Sequence, residues 1–257
     1  MKYLSVAEAR KLPGLRLVLT ANMPGPWGEA AKAVLSARRV SYIPVAQAVM
    51  ETNEELHAWT GVRNAPVAVL DDEPAQTTWL DILLLAERLG SGPSLLPSDP
   101  LDRALALGLS TEICGSDGFG WSRRLELMGR PSTQSPPNAG SFDMARMIRS
   151  YGVRPEAIAG APRRMASIMN GLTTQLRRQR AAGSDYLVGD HLTACDLHWA
   201  TFSLFVSPLA EADCPMPDFM RANYSHLTPE LEAALDPALI RHRDFIFRQH
   251  ISLPLDF

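Results

Sequence analysis

The chain has 257 residues, enough for one large domain or two small ones, and its 46% hydrophobic and 21% charged content is that of a folded protein facing water. A net charge of −3 leaves no basic field, which argues against general nucleic-acid binding and against adhesion to anionic membranes. Cys114, Cys195 and Cys214 are too few and too widely spaced for a disulfide framework or a zinc pattern, so a reducing, cytoplasmic setting is expected.

Glu8, Arg10 and Lys11 interrupt the first residues, where a secretory leader needs an apolar core. The stretch LRLVLT (15–20) reads as a buried strand. ANMPGPWG follows, and Pro26 suits the first turn of a helix because its missing N–H is no loss there. WGEAAKAVLSARR (27–39) then runs as a helix, with Ala30, Ala31, Val34 and Leu35 at helical spacing. A second strand, VSYIPVA (40–46), completes a strand–helix–strand unit, which implies a parallel right-handed crossover. TNEELHAWTG (52–61) is a short helix, capped by Thr52 or Asn53 and stopped by Gly61.

NAPVAVLDD (64–72) is a third strand. Its Pro66 stands at the strand entry, because proline cannot donate to a ladder. EPAQ leaves room for a short hairpin return, and TTWLDILLLAERLG (77–90) is a helix whose expected apolar face is Leu80, Leu83, Leu84 and Leu89. The order to this point is β-α-β-α-β-β-α. GSGPSLLPSDP (90–100) has linker composition.

Beyond the linker the strand signal all but disappears. Helices are expected over 101–128, over 155–183 with a candidate break at Pro162, over 193–212 and over 228–251. GRPSTQSPPNAGS (129–141) reads as a loop, a candidate lid over a binding pocket. The stretch LHWATFSLFVSPLA carries His198 and Ser203, meets Pro208 and falls short of the ~18 residues of a membrane span. The pairs Arg123-Arg124, Arg163-Arg164 and Arg177-Arg178 sit in helix-like segments and read as solvated helix faces. His191, His198, His242 and His250 lack metal-ligand spacing, and no metal is expected.

Three features coincide: the element order with a proline opening the third strand; the hairpin DDEPAQTT, ending in two hydroxyl residues at a helix start; and YLVGDHLTACDLHWATF in the helical half. Gly189-Asp190 followed by Thr193-x-x-Asp196 has the form of a capping box, a folding device rather than a catalytic one. Together these resemble the glutathione transferase superfamily across nearly the whole chain. The resemblance implies an α/β plus all-α architecture: a thioredoxin-like, glutathione-binding domain over 1–90, a linker over 91–99, and a helical domain over 100–257. It also implies glutathione as co-substrate and a homodimer.

The same resemblance assigns roles. Pro66 is expected to be cis, with Ala65 before it offering its main chain to an extended tripeptide, as in strand addition. Thr77 and Thr78 open a helix and suit the γ-glutamyl carboxylate, although Thr77 stands where the family carries an acid. Gly25-Pro26-Trp27-Gly28 falls over the region where the family has Ser-Pro-x-Ser or Cys-Pro-x-Cys. No hydroxyl, phenol or thiol lies in it. Thr20 and Asn22 are the nearest polar side chains. Asn22 is read either as a donor to the thiolate or as a turn residue, and the amides of Trp27 and Gly28 lie at the positive helix end. Glu29, just behind, would oppose a bound anion. Trp27, Cys114, Phe119 and Trp121 are the candidates for a pocket between the domains, taking a small apolar electrophile.

Two readings stay open. One is an enzyme that directs the glutathione thiolate at that electrophile, by conjugation, cleavage or isomerisation. The other is a non-catalytic relative that binds glutathione or an apolar ligand or acts as an interaction subunit, which the missing Ser, Tyr or Cys favours and the intact Pro66 and Thr77-Thr78 features oppose.

Overall fold

The structure is a computed structural model and describes residues 1–49, 51–130 and 154–257. The chain divides into two compact units. The first is Met1–Leu96 with Ala210–Pro215 and Phe247–Phe257, and the second is Pro97–Leu209 with Met216–Ile246. The lid reading of 129–141 falls largely outside the described residues.

In the first unit the elements are α1 (Val6–Ala9), β1 (Leu15–Thr20), α2 (Pro26–Ala37), β2 (Ile43–Gln47), α3 (Glu54–Thr60), β3 (Val67–Leu70) and α4 (Trp79–Leu89). The sheet order is β2-β1-β3. β1 runs parallel to β2, with Val18 opposite Val45, and antiparallel to β3, with Val18 opposite Val67. Leu15, Leu17, Val18 and Leu19 of the central strand are all buried, as a strand covered on both faces requires. Val18, Val45, Leu56, Val67 and Val69 share a core with Val6 and Ala9.

Four features depart from expectation here. A one-turn helix, α1, precedes β1, nucleated by a capping box in which Glu8 accepts the Ser5 N–H at 2.9 Å and the Glu8 N–H reaches Ser5 Oγ at 3.3 Å. The fourth strand shrinks to one bridge, Ala68 with Gln76, closed by hydrogen bonds of 2.9 and 2.8 Å. Pro74 has no N–H to give and Thr78 already caps the next helix, so only Ala75, Gln76 and Thr77 remain for the return, and Gln76 is the one that pairs. Asn53 stands at the N-cap of α3 with φ 47° but does not cap it; its amide donates instead to the carbonyls of Ala48 and Glu51, at 2.9 and 3.0 Å. In α4 the buried residues are Ile82, Leu83, Leu85 and Ala86, while Leu84 and Leu89 are 43% and 38% exposed. A helix with leucines all round does not reveal its inner face by spacing alone.

The second unit is helical among its described residues: α5 (Pro100–Cys114), α6 (Phe119–Met128), α7 (Pro155–Ala181), α8 (Ala194–Phe202), a 3₁₀ turn (Ser203–Phe205), α9 (Asp218–Ser225), α10 (Pro229–Ala234) and α11 (Pro237–His250), whose last turn belongs to the first unit. The helix expected over 101–128 is split at Gly115–Gly118. A Cβ at either glycine would sit 2.6 Å from the Thr111 carbonyl or 2.8 Å from that of Glu112. α7 runs unbroken through Pro162.

The capping box of α8 is in place. Asp196, fully buried, takes the Thr193 N–H at 2.9 Å and its hydroxyl at 2.7 Å on one oxygen, and the Leu187 N–H at 2.8 Å on the other. That second oxygen also lies 3.1 Å from His242 Nε2, whose ring Nδ1 meets the Asp185 carbonyl at 3.0 Å. Trp199, one helical turn on, is buried and donates to the Leu239 carbonyl at 3.1 Å. Arg123 is no solvated helix face. It is wholly buried, with Nε on the Phe205 carbonyl at 2.9 Å and one terminal nitrogen on the carbonyls of Asn223, Tyr224 and His226, at 3.0, 3.2 and 2.9 Å. Those last carbonyls are the open end of α9, which the guanidinium closes. Burial lowers the Arg123 pKa to about 10, and Glu126, 2.6 Å away, opposes that shift.

Candidate glutathione site

Strand register brings the predicted binding residues of the first unit to one end of the sheet. β1 ends at Thr20, and the turn into α2 follows it. Val67 lies opposite Val18 in an antiparallel pair, so Pro66 continues toward the same end of β1. Gln76 pairs antiparallel with Ala68, so Thr77 and Thr78 run back past Val67 toward Pro66. The Ala65–Pro66 peptide is cis, as the resemblance led one to expect. Ala65 and Pro66 are half-buried, and Thr77 and Thr78 are exposed.

Thr78 is the N-cap of α4. Its hydroxyl oxygen accepts the Asp81 N–H at 3.1 Å and its proton goes to Asp81 Oδ2 at 2.6 Å. The cap is satisfied from within, and the start of the helix faces solvent.

The turn before α2 is built on Asn22, which is exposed and holds φ 61°. Asparagine is among the few non-glycine residues that enter this left-handed region readily, so the turn role of Asn22 is observed. Gly25 is the N-cap of α2 and Pro26 its first residue, with no side-chain cap. Trp27 is half-buried. The Thr20 hydroxyl proton is already engaged: it goes to Gln47 Oε1 at 2.9 Å. Glu29 is almost fully buried and lies 2.8 Å from Lys32 Nζ; burial raises its pKa, against the pull of Lys32. Sequence spacing gave no sign that this carboxylate is enclosed, because a glutamate in a first helical turn is ordinarily a surface residue.

In the second unit the three pocket candidates fare differently. Cys114 is buried, and burial together with nearby Cys195 pushes its thiol well above the usual range, so it is no nucleophile. Phe119 is wholly buried, edge-on to Trp199 with ring centroids 5.4 Å apart, which makes it a core residue. Trp121 stays half-buried beneath the Arg124 guanidinium, 5.9 Å from its ring centre. Among the described residues no group of three or more His, Cys, Asp or Glu is placed to hold a metal ion, and no helix is long and apolar enough to cross a membrane.

No protein-family model matches the chain, and no curated protein matches it in sequence. Solved structures do match in fold. A glutathione S-transferase domain-containing protein from Marinobacter aquaeolei VT8 superposes with a TM-score of 0.64 at 16% identity, over 92% of this chain and 100% of that one. A glutathione S-transferase from Methylobacillus flagellatus KT with glutathione bound gives 0.63 at 11% identity, over 91% and 95%. One from Methylobacterium radiotolerans, in complex with glutathione sulfonate, gives 0.59 at 19% identity, over 92% of each chain. What is shared at these identities is the architecture: the chain has the glutathione transferase fold, a thioredoxin-like unit and a helical unit.

Proposed function

We propose that the protein binds glutathione at the end of its sheet and directs the thiolate at a small apolar electrophile. The observation that carries this reading is the convergence of three main-chain features at one sheet end: the Ala65–Pro66 edge, the Thr77-Thr78 helix start and the uncapped N-terminus of α2. An extended peptide pairs with the first, its γ-glutamyl carboxylate meets the second, and its sulfur lies over the third. The helix end and the Asn22 amide stabilise the thiolate, while the thiol proton leaves to water. The sulfur then forms a bond to the electrophilic carbon, and the leaving group departs with the bonding pair. In the second unit Trp121, half-buried, is the candidate aromatic contact for an apolar ligand, while Cys114 and Phe119 are buried. The protein works in the cytoplasm as a homodimer, for which the exposed apolar stripe of α5, Leu101 at 81% and Leu105 at 39%, supplies a surface.

Gly25 supports a second reading, in which the site binds glutathione without activating it. Calorimetric titration with glutathione, combined with ultraviolet detection of bound thiolate across pH, separates the two. Binding with a depressed thiol pKa supports the enzyme, and binding with an ordinary thiol pKa supports the binder. Absence of binding at millimolar glutathione removes both.

A further inference from the structure

α2 is apolar along most of its length, with Ala30, Ala31, Ala33, Val34 and Leu35 buried. One polar pair interrupts it. Glu29 Oε1 lies 2.8 Å from Lys32 Nζ, and the two side chains are 4% and 12% exposed. The same Nζ donates to the main-chain carbonyl of Asp256 at 2.7 Å. Asp256 belongs to a stretch that is itself anchored: Leu255 is buried and gives its N–H to the Asp213 carbonyl at 2.8 Å. Both Ala210–Pro215 and Phe247–Phe257 are part of the first unit, although they come from the far end of the sequence. The last residues therefore return to the sheet-bearing unit and meet α2 at Lys32.

We propose that the segment 253–257 is a strap that fixes α2, and with it the turn at Gly25, by way of Lys32. The functional half of this inference rests on the reading that the turn cradles the glutathione sulfur. Glu29 is in the first turn of α2, where an unopposed carboxylate would cancel the positive helix end that a thiolate needs. The groups around Glu29 are Lys32, Tyr3, Tyr42 and Asp256, and Asp256 also takes the amine of Met1. Lys32 is the cation in direct contact with the buried carboxylate, and the Asp256 carbonyl holds that cation in place. Burial and the neighbouring Glu29 push Tyr3 up to about 12 and Tyr42 further, so both phenols stay neutral and add no charge. Lys32 is thus a positioning residue: it holds the helix against the strap and screens the thiolate from Glu29.

Hydrogen exchange tests the strap without glutathione. In Lys32→Met, and in a chain lacking 253–257, the amides of α2 should exchange about ten-fold faster while those of α4 keep the parent rate. Unchanged exchange in α2, or an equal rise in α4, overturns the proposal, and Lys32→Met decides the matter if the shortened chain does not fold. The pKa of bound glutathione thiol should rise in Lys32→Met and fall in Glu29→Gln; no movement in either overturns the screening role. If α2 loosens as expected but the parent protein takes up no glutathione, the strap stands and the glutathione reading falls.

Discussion

The Thr20 hydroxyl, at the end of β1, donates to Gln47 Oε1 at the end of β2, 2.9 Å away. Its proton is thereby committed across the sheet to β2. The turn is left with Asn22, main-chain amides and a glycine at the cap of α2. Gly25 holds φ −67° and ψ 125°, which any residue adopts, and a Cβ built on it meets nothing within 4 Å. Its lack of a side chain is therefore not a steric requirement.

Substitution at Gly25 should therefore be tolerated and should change the chemistry. Gly25→Ser adds a cap worth only a few tenths of a kcal/mol over glycine, so melting should barely move while the bound thiol pKa falls. Gly25→Cys goes further. Its thiolate should attack glutathione disulfide, forming a protein–glutathione disulfide and releasing glutathione, an adduct that mass spectrometry detects and dithiothreitol reverses. Cys114, Cys195 and Cys214 are all buried, so the parent gives little background. A Gly25→Cys variant that folds but takes up no glutathione would count against the turn as a cradle.

Thr78 is a helix cap and, in the proposed site, also a binding residue. Its hydroxyl accepts the Asp81 N–H at 3.1 Å, and Thr78→Val removes that cap at a cost of ~1 kcal/mol. In the proposed site the same helix start meets the γ-glutamyl carboxylate, so glutathione affinity should fall several-fold as well. Thr78→Ser should restore both. Paired melting and calorimetry check this: a variant that loses stability and keeps its affinity restricts Thr78 to capping.

Much of this architecture was legible because local signals agreed with the fold. The strand at 15–20, Pro26 at a helix start, Gly61 and Gly90 at helix ends and the Thr193–Asp196 box are each set by short-range chemistry. What stayed hidden depends on long-range partners. Arg123 reads like Arg124 in sequence, and only the arrival of α9, a hundred residues later, makes it a buried cap. Phe119 reads like Trp121, and only Trp199 draws it into the core. Glu29 looks like a surface acid until Lys32 and Asp256 enclose it. Lysine is confined to Lys2, Lys11 and Lys32. Among the described residues four buried arginines, Arg16, Arg38, Arg123 and Arg243, donate to main-chain carbonyls, each with a planar fork that serves several partners.

That division of labour predicts that lysine cannot stand in for Arg123. Its nitrogens serve Phe205, Glu126, Asn223, Tyr224 and His226, and one ammonium with three hydrogens does not reach this spread. Arg123→Met strips the end of α9 and should cost about 3–5 kcal/mol, as breaking a buried, hydrogen-bonded charge does. Arg123→Lys should recover only a minor part of it. Urea midpoints measured on both variants check this, and a lysine variant as stable as the parent would refute it.

His198 supplies the clearest pH dependence. Its ring is buried in α8, with Nδ1 2.9 Å from Ser110 Oγ. Burial lowers its pKa from 6.5 to about 4, and the Asp196 carboxylate offsets this only partly. The folded state therefore keeps the imidazole neutral at pH values where the unfolded chain protonates it. Its contribution is fully present above the unfolded value and is lost as pH falls through the window between 6.5 and about 4. Of that loss, about 2 kcal/mol falls between about pH 7 and about pH 5. In His198→Gln the titrating group is gone while a hydrogen-bonding side chain remains for Ser110. The variant should be less stable than the parent near neutrality, because its packing differs, yet lose about 2 kcal/mol less on acidification over the same interval. Urea unfolding at the two pH values reads this as a double difference, in which every other acid-labile group cancels. Parallel pH profiles for the two proteins would show that the buried imidazole is protonated in the folded state as readily as in the unfolded one.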